Sequence, residues 1–451
     1  MADNSAKFAD LRDKYPRFIY HGYELHYDAD SVTLRFDFEI DGLADFHPEI
    51  VINMGEIPFF MPNSRTADLL AFHIGLIELL SYWKVSCAPI VEIACAPIDE
   101  NQIQWLKKLY YNGLGEFFYV NNINISMSDF MTIKSTFNAD NASNNRSNNA
   151  LASGISYNGC LIPVGGGKDS CVTLELLPQN ADNYCVIVNP KAPALECAHT
   201  AGYGNDRIIT IKRRICGKLL DLNAEGFLNG HTPFSAVLAF ITYFTAVLTR
   251  RKYVVLSNES SANEANVAGT KINHQYSKSY EFERDFVSYA KRVFGDGQPY
   301  YFSFLRPLNE LQIAMIFSKF PQYHNVFRSC NAGSKGEKWE WCRNCPKCLF
   351  VFLILSPFLP RERMIEIFGG DLLAEAENPN SPLFSTLQEL QGRGTAKPFE
   401  CVGTFDEVNW ALSDEKSRDY SVLKQYDEQN GLPPEFSAIL HDFIGEQNNY
   451  D

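Results

Sequence analysis

Leu161-Ile162-Pro163-Val164-Gly165-Gly166-Gly167-Lys168-Asp169-Ser170 is the stretch on which the reading of this chain turns. An apolar strand runs into a glycine turn, and the turn opens a helical stretch from Cys171 to Leu177. Three glycines remove the Cβ atoms that would keep backbone N–H groups from closing around phosphate oxygens. A helix start adds unpaired N–H donors and the positive end of its dipole. Lys168 is expected to supply a mobile cation, and Ser170 a hydroxyl for a further oxygen. Gly165, Gly166, Gly167, Lys168, Asp169 and Ser170 are therefore the candidate phosphate-binding residues.

Outward from that stretch, the pattern after Gly159 is strand then helix, repeated. Strands are expected to end at Val164 and to cover Tyr184–Asn189, Arg207–Ile211 and Tyr253–Ser257. Uniformly apolar strands separated by helical patterns predict a parallel sheet covered on both faces. Ligands in such folds sit at the carboxyl ends of strands, which gathers the glycine loop, Asn189 and Asn258-Glu259 on one rim. Glu259 is a candidate for Mg²⁺ bridging phosphates; its bland alternative is a solvated position beside a helix start. Phe234 to Leu248 is apolar but too short to cross a membrane, and is expected as a buried helix.

The first third reads as a separate α+β unit. Val32, Leu34, Phe36, Phe38 and Ile40 alternate with polar residues, a half-buried strand closed by Asp41-Gly42. Ile50–Met54 reads as another strand. Ala67–Lys84 reads as an amphipathic helix in which His73 is structural. Asn138–Asn149 holds six asparagines among few apolar groups, the signature of a linker. The expected division is 1–140, a linker at 138–149, and 155–451.

With 451 residues, 45% hydrophobic and 13% aromatic, the chain is long and apolar enough for two or three folded domains. A formal charge of -14 argues against a nucleic-acid partner. Met1–Lys14 lacks the basic and apolar regions of a signal peptide, so a cytoplasmic protein with no membrane partner is expected. Twelve cysteines then point to thiols or metal ligands, not disulfides. Cys330, Cys342, Cys345 and Cys348 form Cys-x11-Cys-x2-Cys-x2-Cys, a spacing suited to tetrahedral structural zinc with Trp339 and Trp341 as cover. An iron–sulfur cluster is the rival.

The glycine loop departs from the Walker pattern, with Ile162 where glycine is needed and Asp169 where Ser or Thr follows the lysine. Gly-Gly-Gly-Lys-Asp-Ser instead resembles the PP-loop of the ATP pyrophosphatases, Ser-Gly-Gly-x-Asp-Ser, with Gly165 in place of the first Ser. That resemblance implies cleavage of ATP between its α and β phosphates. The nitrile-forming deazaguanine synthases of that superfamily carry a comparable four-cysteine zinc site. Lys397-Pro398-Phe399-Glu400-Cys401-Val402-Gly403-Thr404, with Glu407 three residues on, reads as a loop entering a capped helix. Together with Phe46-His47-Pro48, the loop and the cysteines, it resembles the UDP-N-acetylmuramoyl-L-alanyl-L-glutamate epimerase (MurL) family over nearly the whole chain.

The resemblance implies a PP-loop α/β domain with an N-terminal α+β domain and a zinc-stapled helical C-terminal extension. It also implies inversion of a terminal L-glutamate on a UDP-muramoyl dipeptide, with ATP, Mg²⁺ and structural zinc. Cys401, Glu400 and His231 are the candidate catalytic groups, with Cys197 and His199 as further candidates for the Cα base. Arg306 would face diphosphate or the UDP moiety, or be an ordinary surface arginine. The alternative is a PP-loop enzyme that adenylates a nucleobase on the way to a nitrile or a thiolated product.

Overall fold

A computed structural model describes residues 3–137, 156–267, 269–295, 299–330, 332–333 and 339–447. Eleven strands among them form one sheet. They are β1 (Arg17–Tyr27), β2 (Ser31–Ile40), β3 (Ala44–Phe46), β4 (Glu49–Asn53), β5 (Ile90–Ile93), β6 (Thr132–Ser135), β7 (Cys160–Pro163), β8 (Tyr184–Val188), β9 (Ile208–Arg214), β10 (Tyr253–Leu256) and β11 (Tyr300–Ser303). Their order is β11-β10-β7-β8-β9-β4-β2-β1-β5-β6, with β3 on β2. β11 through β9 run parallel, as the repeated strand–helix pattern requires. β4, β2 and β1 pair antiparallel, and β1, β5 and β6 return to parallel pairing.

The two regimes meet at one antiparallel seam, where Glu49 of β4 lies opposite Arg214 of β9 and Asn53 opposite Thr210. Segments on either side of the expected linker therefore share a sheet. The linker itself, Asn138–Asn149, lies outside the described residues.

Alternate residues of the parallel strands feed opposite cores. Leu161, Val186 and Val254 join the cluster that holds Phe36, Phe38 and Phe240; Ile162, Ile187 and Val255 join the one that holds Leu349, Phe352 and Leu387. The apolar run near residue 240 is a helix, Phe234–Thr249, buried along most of its length. On the opposite face lie helices Pro346–Leu355, Pro382–Leu390 and Phe405–Leu412. No helix among the described residues is long and apolar enough to cross a membrane.

The order of the parallel strands positions the site. From β7, the chain places β8 and β9 on one side and β10 and β11 on the other. Connections leaving in opposite directions make the carboxyl ends of β7 and β10 the switch point, where folds of this kind form their ligand crevice. The glycine loop follows β7, and Asn258-Glu259 follows β10.

Candidate active site

The glycine loop leads into helix Lys168–Leu176. Gly166 has φ +83°, and a Cβ there would meet Ala194 N at 2.7 Å. A Cβ on Gly167 would meet Ser329 Oγ at 2.8 Å, whereas one on Gly165 would meet nothing within 4 Å. The departure from Ser to Gly at position 165 thus answers to no steric demand. Arg328 N donates to Gly166 O at 2.7 Å, fixing the turn. Ser170 Oγ donates to Gly167 O at 2.9 Å.

Lys168 is not the mobile cation expected. It is buried, and its Nζ bonds Asp169 and Glu310 together. Burial opposes the charge, but the two carboxylates outweigh it and raise the ammonium's pKa above the usual lysine range. Glu310 is held in turn: its N–H donates to Glu407 Oε1 at 2.8 Å, while Glu407 Oε2 accepts from Thr404 N at 2.6 Å. Glu407 is therefore both the partner in the expected capping box and a support for the loop lysine.

Glu259 is buried, not solvated, and burial and nearby Asp169 raise its carboxyl above the usual range. Asn189 adopts a left-handed backbone at the end of β8, and its Oδ1 accepts from Arg213 N at 2.9 Å. Neither alternative for Arg306 holds. It is fully buried, donating to Glu259 O and to Lys278 O, and bridging Glu283 at 3.1 Å. Cys197 and His199 are also structural: the first is buried 3.4 Å from Cys171 Sγ, the second bonds Tyr203 O at 2.9 Å. His73 sits among aromatic rings, its proton on Nδ1 bonding Leu69 O while Nε2 accepts from Gln102. Burial drives its pKa down to about 4, so it is neutral as expected of a structural histidine.

A second set of groups gathers around Cys401. Lys278 Nζ lies 3.0 Å from Cys401 Sγ. His274 Nδ1 contacts Glu116 Oε2. The same oxygen lies 3.7 Å from His231 Nδ1, and the two imidazole rings are 4.3 Å apart. Donor atoms of Glu116, His231 and His274 all fall within 4.8 Å of one another.

One residue staples two of the segments involved. Buried Asn266 accepts from His274 N through Oδ1 at 2.8 Å, and donates from Nδ2 to Pro398 O at 2.9 Å. Lys397 N donates to Asn266 O at 2.8 Å, and Lys397 Nζ pairs with Glu264 at 2.6 Å. Tyr119 packs on Phe399, tying the helix that bears Glu116 to the Cys401 loop. Lys84 holds Gly230 O at 2.9 Å beside His231.

The electrostatics of this set are sharply divided. Burial alone would push the Cys401 thiol up, yet Lys278, Lys347 and His274 hold it well below the usual thiol range. Burial would pull His274 down, but Cys401 and Glu116 raise it to about 9. His231 goes the other way, to about 3, through burial and the neighbouring cations His274, Lys84 and Lys278. The set thus favours the anion of Cys401, the cations of His274 and Lys278, and the neutral form of His231. Lys278 is raised by Cys401, Glu259 and Asp169, against burial, so its charge links the thiol to the crevice. Glu400 pairs with Lys347 at 3.7 Å. Of the expected catalytic residues, Cys401 and His231 lie in this set, and Glu400 meets it through Lys347. Sequence reading missed His274, Glu116, Lys278 and Glu310, which lie far apart in the chain and carry no spacing signal.

The four clustered cysteines converge. Cys330 and Cys345 sulfurs are 3.7 Å apart, Cys342 and Cys348 3.7 Å, Cys345 and Cys348 3.5 Å. A single tetrahedral ion with metal–sulfur bonds of about 2.3 Å sets edges of roughly 3.8 Å; thiolates on different irons of a cluster stand farther apart. Gly333 N donates to Cys330 Sγ at 3.1 Å, and Arg343 takes φ +60° in the turn between Cys342 and Cys345. Trp341 is buried against Phe327 and Phe368, while Trp339 is only partly covered. Arg328, which fixes Gly166, is two residues from Cys330.

A mostly parallel sheet with a glycine loop at its switch point, and thiol, imidazole and carboxylate groups alongside, defines an α/β protein with a candidate active site. Residues 9–304 match the MurL N-terminal domain and residues 326–430 the MurL C-terminal domain. Three relatives named UDP-N-acetyl-alpha-D-muramoyl-L-alanyl-L-glutamate epimerase are similar over most of their length. The Micromonospora sp. protein is 37% identical over 88% of this chain and 86% of its own. The Salinispora tropica protein is 35% identical over 86% and 82%, and the Xanthomonas oryzae pv. oryzae protein 36% over 82% and 80%. The chain belongs to this epimerase family and is an isomerase. No solved structure matches it.

Proposed function

We propose that this chain inverts the terminal L-glutamate of UDP-N-acetylmuramoyl-L-alanyl-L-glutamate to D-glutamate in the cytoplasm. ATP is consumed to AMP and diphosphate through an acyl-adenylate. The observation that carries the reading is the pairing of a glycine loop at the switch point with a charged thiol set electrostatically linked to it through Lys278.

The chemistry needs both parts. An ionised α-carboxylate makes its Cα–H very hard to remove, because the carbanion would sit beside a full negative charge. Adenylation replaces that charge with an acyl phosphate and lets the carbanion delocalise as an enolate. The γ-carboxylate is too remote to acidify Cα. Backbone N–H groups of Gly165–Gly167, the helix start and Ser170 would hold the departing phosphates. Asp169 and Glu259 would hold Mg²⁺, which neutralises phosphate charge as diphosphate leaves. Cys330, Cys342, Cys345 and Cys348 would hold structural zinc, which would close the fold there.

Incubation with the L,L-substrate, ATP and Mg²⁺ in deuterated water should place deuterium on the glutamate Cα of the D-product. AMP should accumulate in step with inversion. Formation of ADP, or inversion without ATP, would overturn the mechanism. AMP release only with a nucleobase acceptor would move the assignment to the nitrile-forming or thiolating enzymes.

A further inference from the structure

Cys401 is partly exposed at the end of a clamped loop. It faces two cations, one of which is backed by a carboxylate. Glu116 contacts His274 Nδ1, His274 and Cys401 each favour the other's charged form, and Lys278 Nζ lies 3.0 Å from the sulfur. This is the arrangement that activates a nucleophile: an attacking atom, a partner within hydrogen-bond reach, and a third group fixing that partner.

We infer that Cys401 is a covalent nucleophile, which takes the glutamyl group from the adenylate as a thioester before the Cα centre is inverted. The inference rests on the epimerase reading above and gives that site a second intermediate. Its chemical ground is the difference between basicity and nucleophilicity. A thiolate held far below its ordinary pKa is a poor proton acceptor for a carbon acid. Its nucleophilicity falls much less steeply than its basicity. The surroundings of Cys401 therefore suit attack on a carbonyl better than removal of Cα–H.

In the first step the Cys401 sulfur forms a bond to the carbonyl carbon. The carbon–oxygen bond to AMP breaks, and AMP leaves with the electron pair. Sulfur donates weakly into the carbonyl, so the thioester keeps Cα acidic while surviving longer than an acyl phosphate. Acylation also removes the anion that kept His274 and Lys278 charged. One of them loses its proton to water and becomes the base, taking the proton from Cα. The other, still protonated, gives its proton to the opposite face of the enolate, which sets the D configuration, and is reprotonated from solvent. Water then attacks the thioester carbonyl, the carbon–sulfur bond breaks, and the thiolate is restored. Lys278, His274 and Glu116 position and charge the sulfur during acylation.

The test is a single-turnover time series with wild-type enzyme in excess over the L,L-substrate, with ATP and Mg²⁺, quenched in acid and read by intact-mass spectrometry. An adduct of the whole UDP-muramoyl dipeptide minus water, mapping to the peptide that carries Cys401 and released by neutral hydroxylamine, is expected before D-product appears. Cys401→Ser should keep substrate-dependent exchange of diphosphate into ATP but lose Cα deuterium incorporation by at least about 100-fold. Glu116→Gln and Lys278→Met should slow iodoacetamide alkylation of Cys401 at pH 6.5 by about tenfold or more, a readout that a purely structural role would not move. D-product forming with no adduct at any time, or Cys401→Ser retaining inversion, would overturn the thioester and leave the epimerase reading intact. A stoichiometric metal bound through Glu116, His231 and His274 would do the same. Wild-type enzyme that neither releases AMP nor inverts this substrate would take down both.

Discussion

Two adjacent glycines illustrate how much one Cβ can decide. At Gly166 the backbone is left-handed and a side chain would strike the Ala194 backbone; at Gly165 there is open space. Gly166→Ala should therefore strain the turn, at a cost of about 1 kcal/mol or more, and weaken ATP binding. Gly165→Ser should fold normally and bind ATP at least as tightly, since it restores the hydroxyl usual in the PP-loop pattern. Calorimetric titration with ATP, beside thermal unfolding of both variants, checks the contrast. Equal behaviour of the two would mean that this turn does not hold phosphate.

At the scale of elements, the cysteine cluster joins helix Pro346–Leu355 to the segment Arg328–Cys330 that fixes Gly166. Structural zinc in small peptides binds with an apparent ~10–16 kcal/mol, as large as the whole stability of a typical domain at ~5–15 kcal/mol. Cys345→Ser should accordingly loosen the C-terminal helices and, through Arg328, the glycine loop. Metal analysis of the purified protein should find one zinc per chain. Hydrogen exchange should rise in residues 346–355 of the variant; unchanged exchange there would show that the cluster braces nothing.

Both of these elements were legible in the sequence, because each is written in a short run: three glycines after an apolar strand, and cysteines at fixed spacing. The capping box at Thr404 and Glu407 was legible for the same reason. The second use of Glu407, holding Glu310 behind Lys168, was not, since it joins residues that only packing brings together. His274, Glu116 and Lys278 come from a loop, a short helix and a 3-10 turn, none of which has a periodicity that marks a site. Lys168 was expected as a mobile cation and is instead held by two carboxylates. Sequence shows a cation beside a loop, but not the two carboxylates that immobilise it.

The whole molecule departs most from what local patterns suggest. An asparagine-rich stretch and a change from alternating to uniformly apolar strands read as two domains, yet β4 and β9 are neighbours in one sheet and Phe36 shares a core with Phe240. Fragments 1–137 and 156–451 should therefore fail to fold separately, and should recover a cooperative transition when produced together. Circular dichroism and thermal unfolding of each fragment and of the pair decide it. The same seam has a consequence for how the chain is made. β4 leaves the ribosome some 155 residues before β9 begins, which at 5–20 residues per second leaves its edge unpaired for on the order of ten to thirty seconds. An open strand edge is a template for another chain, so crowded polysomes making this protein would benefit from a chaperone that covers β4 until its own partner arrives.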